Sequence, residues 1–86
     1  MTGLFETKLA ELGFTLPNAP APTANYVPYV QVGDLVYVSG QVSQDTSGFI
    51  IGKLGDNMST QDGASAARTC AVALLAQVKA ACGGDL

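Results

Sequence analysis

Leu4, Phe5, Leu9 and Leu12 fall near one face of a 3.6-residue repeat, with Glu6, Lys8 and Glu11 elsewhere, which predicts a short amphipathic helix over 3–12. Gly13 is placed to end it. The rhythm then breaks at residues 16–23, where Pro17, Pro20 and Pro22 each lack an amide donor and fix φ, so this stretch reads as an extended connector. From Val27 to Val32 and from Leu35 to Val42 most positions are β-branched or aromatic, and the Gly33-Asp34 pair between them is a two-residue hairpin signal. Leu35, Tyr37 and Ser39 face one way and Val36, Val38 and Gly40 the other, a pattern expected of a strand buried on both sides. Residues 44–48 read as a turn, Phe49-Ile50-Ile51 as a short third strand, and the segment up to Met58 as loop.

Ser59 followed three residues later by Asp62 is a relative of the capping box and predicts the start of a long helix, stopped near Ala81 or Cys82 by Gly83-Gly84. On it Ala64, Ala67, Ala71, Leu74, Leu75, Val78 and Cys82 form one apolar stripe, expected to lie on the sheet with Leu74 buried. The opposite side carries Ser65, Ala66, Thr69, Ala73, Ala76, Gln77 and Ala80, small residues that permit another element to approach. Arg68 and Lys79, eleven residues apart, return to nearly the same angle and are expected as solvated charges beside the stripe.

With 86 residues the chain makes one small domain, in the range where only ~60–70% of the unfolded surface can be buried. Its charged fraction of 13% is well below the roughly 25% of an average soluble domain, so further burial between subunits is expected. The net charge of -3 sets seven carboxylates against Lys8, Lys53, Arg68 and Lys79, which are scattered along the chain. Nucleic-acid binding needs a concentrated positive footprint and is disfavoured. The first residues show no basic segment followed by an apolar core, and the longest apolar run, Cys70 to Ala76, is far shorter than the ~20 residues of a membrane span. A cytoplasmic location without membrane contact is the expectation.

No histidine is present, which excludes Ser-His-Asp and Cys-His nucleophilic systems and removes the commonest metal ligand. Cys70 and Cys82 on one helix would stand about 18 Å apart at ~1.5 Å per residue, beyond the roughly 7 Å reach of a disulfide, and read as small buried hydrophobes unless one is a reactive thiol or an intersubunit contact. No metal-ligand spacing is found. The stretch Ser47 to Leu54 has too few residues between its glycines, and a Leu in place of the hydroxyl residue, to be a phosphate loop. Asp34, Asp45, Asp56 and Asp62 sit in turns or at a helix cap, so paired-carboxylate chemistry has no local support.

The segment Asn25 to Val42, with its Pro28-Tyr29-Val30-Gln31 strand, Gly33-Asp34 turn and apolar strand ending in Ser39-Gly40-Gln41, resembles the hairpin of the Rid/YjgF family, the reactive-intermediate imine deaminases also labelled endoribonuclease L-PSP. Ala66 to Ala71 and Gly83-Gly84-Asp85-Leu86 are similar to that family's first helix and its exit. On this resemblance residues 1–24 form an N-terminal helix and Pro/Ala-rich connector, and 25–86 the first half of a Rid/YjgF-like domain. The implied fold is α+β, chorismate-mutase-like, a mixed sheet with helices packed on one face, here as a truncated first half. The resemblance also implies that three such subunits join their sheets into a homotrimer with clefts between subunits.

The implied reaction is hydrolysis of 2-imino acids or enamines to 2-keto acids and ammonia, with no metal or cofactor, so the expected partner is a small imino- or keto-acid substrate. Carried over by position, Tyr29 would line the cleft, and Ser39 with the Gly40 backbone would hold substrate or water. A half-buried strand aromatic and a small strand-ending residue are the plain alternatives for Tyr29 and Ser39. Val27 stands where many members have Gly, and the family's carboxylate-binding arginine and late glutamate belong to the second half; Arg68 does not replace that arginine. A non-catalytic oligomeric binding or interaction module stands as the alternative function. Ribonuclease activity comes third, against the acidic balance.

Overall fold

The computed structural model describes residues 3–19 and 25–86; the part of the expected connector at 20–23 lies outside them. The elements are α1 (Leu4–Glu11), β1 (Tyr29–Val32), β2 (Leu35–Val38), β3 (Gln44–Asp45), β4 (Gly48–Phe49) and α2 (Thr60–Ala81). β1 and β2 pair antiparallel with Tyr29 opposite Val38 and Val32 opposite Leu35, so the loop is the two residues expected. Gly33 at φ 60 with Asp34 outside the left-handed region is the II′ arrangement, whose twist suits the flanking strands.

The second ribbon differs from expectation. The stretch read as a bare turn is a miniature hairpin, with Gln44 opposite Phe49 and Asp45 opposite Gly48, and the predicted strand 49–51 ends at Phe49. Asp45 Oδ1 accepts from the Ser47 amide at 2.8 Å, an Asx turn that draws the strands together two residues early. A parallel bridge between Leu54 and Met58 interrupts the expected loop.

Both helices end on the same glycine device. At α1, Phe14 N–H donates to Leu9 O (2.9 Å) and Gly13 N–H to Ala10 O (3.1 Å), with Gly13 at φ 87. At α2, Gly84 donates to Lys79 O (2.9 Å) and Gly83 to Ala80 O (3.3 Å). These paired bonds are the Schellman pattern, and the left-handed residue is a glycine each time because it carries no Cβ penalty. The start of α2 is a full capping box: Ser59 Oγ accepts from Asp62 N–H at 3.1 Å while Asp62 Oδ2 accepts from Ser59 N–H at 3.3 Å. Ser59→Ala is expected to cost about 1 kcal/mol in a urea titration, because it removes the acceptor of an otherwise orphaned amide.

α2 lies on β1, β2 and β3, but not with the face that hydropathy selects. Ala76 and Gln77 are the most buried, at 2% and 1% exposure, with Ala66, Thr69 and Ala73 half-buried on the same side. Ala64, Ala67, Ala71, Leu74 and Cys82 are exposed, and only Leu75 and Val78 of the expected stripe are half-buried. The helix is thus rotated from the expected orientation. Alanine faces bring its backbone close to the hairpin, whereas the leucine flank finds no surface to cover it within these residues.

The strand expected to be buried on both sides is covered on one. Val36 and Val38 are half-buried, while Leu35 and Tyr37 on the other side, with their partners Val32 and Val30, are exposed. Cys82 is exposed and Cys70 half-buried, so the reading of two buried hydrophobes does not hold for Cys82. Lys79 is not a solvated charge either: its Nζ meets Glu6 Oε1 at 2.5 Å, with both side chains largely covered, and this pair ties α1 to the end of α2. Gly3 is buried beside Leu86, whose carbonyl accepts from Phe5 N–H at 3.3 Å.

Candidate functional site

The three residues expected to bind substrate cluster at the open end of the first hairpin. The register pairs Tyr29 with Val38, and the next pair out, Pro28 with Ser39, is closed by Ser39 N–H donating to Pro28 O at 3.0 Å. Regular pleating therefore puts Tyr29 and Ser39 on opposite sides of the ribbon, yet both border one shallow groove of about 240 Å³ at its end. Gly40 follows, exposed and not among the groove's lining residues.

Ser39 has a defined hydrogen-bonding state. Its Oγ lies 3.1 Å from Pro28 O, and since a carbonyl only accepts, the hydroxyl must donate there. The lone pairs of Oγ are what it can present to a ligand. Gln41 Nε2 donates to Ser39 O at 3.1 Å and so braces the chain at Gly40, whose amide has no acceptor among the described residues. A hydroxyl acceptor and a backbone donor on consecutive residues can together hold a water or a polar carbon–nitrogen group.

A second and larger cleft, of about 560 Å³, was not foreseen. One wall is α2 at Arg68, Thr69, Val72, Ala73 and Gln77; another is the segment after α1, from Phe14 to Asn18; the rest comes from Pro28 and the chain between Gln41 and Thr46. The Schellman turn at Gly13 delivers Phe14 here, and the Arg68 guanidinium lies 5.9 Å from its ring centroid, a cation–π distance. Arg68 is thus a cleft residue. Phe14 and Arg68 stand 54 positions apart, and the only sequence signal that could have joined them is the Gly13 helix stop, which aims the following residue back along the helix. No group of three or more metal-ligating side chains occurs among the described residues, and no helix among them is long and apolar enough to cross a membrane.

An antiparallel hairpin ending in Ser-Gly-Gln, followed by a capped helix lying across it, is the α+β framework of the YjgF-like fold. Residues 16–84 match the endoribonuclease L-PSP family, and the chain belongs to it. It is 41% identical over 83 residues to Protein TCP17 of Trypanosoma cruzi, covering 95% of this chain and 52% of that protein. Among solved structures, the protein Atu1372 of Agrobacterium tumefaciens, of unknown function, is 44% identical with a TM-score of 0.77 over 96% of this chain and 49% of its own. A candidate endoribonuclease from Shewanella oneidensis MR-1 is 34% identical with a TM-score of 0.81, over 91% of this chain and 52% of its own. The chain spans about half the length of these relatives.

Proposed function

We propose that this chain is the first half of a Rid-type domain that, when complete, hydrolyses reactive 2-imino acids or enamines to 2-keto acids and ammonia. The observation that carries the reading is the Ser39-Gly40 arrangement inside a family-matched hairpin. The Ser39 hydroxyl, its proton held by Pro28 O, accepts a hydrogen bond from the attacking water; the Gly40 amide donates to the imine nitrogen, which gains electron density as water adds across the C=N bond. Tyr29 borders the groove and limits what can lie beside the ribbon. The carboxylate of such a substrate would be held by an arginine of the second half, since Arg68 lies in the other cleft. The domain would work as a homotrimer in the cytoplasm without metal or cofactor, its open hairpin face of Val30, Val32, Leu35 and Tyr37 covered by the neighbouring subunits; an apolar patch of that kind is rarely left exposed.

The names of the family and of one structural relative refer to RNA cleavage. Four scattered cations in a chain of net charge -3 make RNA the weaker reading here. In the complete protein Ser39→Ala is expected to lower kcat/KM for 2-aminoacrylate by about 10²-fold, the scale of losing one preorganised hydrogen-bonding group. Keto-acid formation in competition with semicarbazide measures it. An unchanged rate would exclude Ser39 from the site.

A further inference from the structure

The larger cleft has the features of a small-molecule site, and it shares no lining residue with the hairpin groove. Its volume, about 560 Å³, falls within the ~300–1,000 Å³ of ligand pockets, and its walls are mainly apolar. Val72 and Ala73 of α2 line it together with Phe14, Pro17, Pro28 and Val42.

Three of the polar side chains along it already have a structural partner. Asp45 Oδ1 holds the Ser47 amide at 2.8 Å. The Thr69 hydroxyl donates to Ala66 O at 2.7 Å, and Gln41 Nε2 to Ser39 O at 3.1 Å. Arg68 differs. It is the one cation lining the cleft, and it has no carboxylate partner among the described residues. Its guanidinium carbon lies 5.9 Å from the Phe14 ring centroid, a cation–π distance, and its N–H groups can donate. A planar fork of this kind matches a carboxylate, to which it can donate two parallel hydrogen bonds.

We propose that this cleft binds a small organic monocarboxylate with an apolar body, its carboxylate on Arg68 and its body against Phe14, Val72 and Ala73. The charge balance selects the single negative charge. Arg68 offers one positive charge to one carboxylate, whereas a dianionic phosphate would bring a second negative charge towards Asp45. The apolar body follows from the walls: a short polar acid would leave them wet and gain little from burial.

The test uses 4-phenylbutyrate, with 4-phenylbutan-1-ol and 4-phenylbutyl phosphate as its neutral and dianionic counterparts, titrated into the ¹⁵N-labelled full chain and followed by amide chemical shifts. The acid is expected to give saturable shifts at Phe14, Arg68, Val72 and Ala73, leaving Tyr29 and Ser39 unmoved. The alcohol and the phosphate are expected to bind at least about tenfold more weakly, the scale of losing a charge-assisted hydrogen bond. Arg68→Gln should weaken the acid by about the same factor and leave the alcohol unchanged. Ala73→Phe should fill the cleft and abolish both. Absence of saturable shifts with the acid up to roughly 10 mM would overturn the proposal, because that limit lies well beyond the range of a useful site. Equal affinities for acid and alcohol, or for acid and phosphate, would overturn the assigned ligand class. If Arg68→Gln loses its folded spectrum, the contrast among the three probes in the unaltered chain decides. Shifts at Tyr29 and Ser39 instead would place the acid in the hairpin groove, which separates the fate of this site from that of the imine-hydrolysis reading.

Discussion

A polypeptide of these 86 residues, mixed with enzymatically generated 2-aminoacrylate and semicarbazide, is expected to leave nearly all of the imine to the semicarbazide. The same chain continued by a family-like second half is expected to divert it to pyruvate. The difference should be at least about 10³-fold, because two separate contributions are missing from the short form. Ser39 and Gly40 can hold water or a polar group, but binding the substrate carboxylate needs a cation at the hairpin end, and Arg68 is committed elsewhere. Electrostatic groups fixed before reaction are often the largest catalytic contribution, with about 10²–10³-fold lost per donor. Positioning by a bidentate carboxylate clamp adds to that. Full activity in the 86-residue form would show that the arginine is dispensable and that the site lies elsewhere. Light scattering on the two samples would show whether activity and trimer formation appear together.

What the sequence made legible is local. The capping box is written in Ser59 and Asp62, which need only each other, and the β1–β2 turn in Gly33, whose positive φ few other residues adopt at low cost. Ser39 was singled out because a contiguous motif marks it. The orientation of α2 was not legible, because the helix is apolar or small nearly all round. A moment weighted by side-chain bulk then points to Leu74 and Val78, while close approach to a hairpin selects Ala66, Ala73 and Ala76. Gln77, polar and at 1% exposure, argued against its own burial on hydropathy. The main cleft was invisible for another reason. It joins Phe14, Val42 and Arg68 from three distant segments, and spacing carries no information about such a meeting.

The rotation of α2 has a consequence for stability that separates it from the hydropathy-based orientation. Ala76 is 2% exposed and packed close to its neighbours, so Ala76→Phe has no room to enter without pushing α2 off the hairpin. Overpacking of this kind costs typically ~1–3 kcal/mol, and the upper end or more is expected for a ring replacing a methyl group. In a domain of this size, whose whole stability is on the order of 5 kcal/mol, that is a large fraction. Leu74 is 38% exposed, and Leu74→Ala is expected to cost under about 1 kcal/mol, well short of the ~2–5 kcal/mol of a buried leucine. A urea titration of both variants decides between the orientations: a larger loss from Leu74→Ala than from Ala76→Phe would return the leucine flank to the sheet. The comparison becomes sharper in a protein carrying the second half. If that half covers the flank of Ala67, Ala71 and Leu74, the cost of Leu74→Ala should rise into the buried-leucine range there while that of Ala76→Phe stays as it is. A Leu74→Ala cost that is equally small in both forms would mean that the flank stays open and that the second half packs elsewhere.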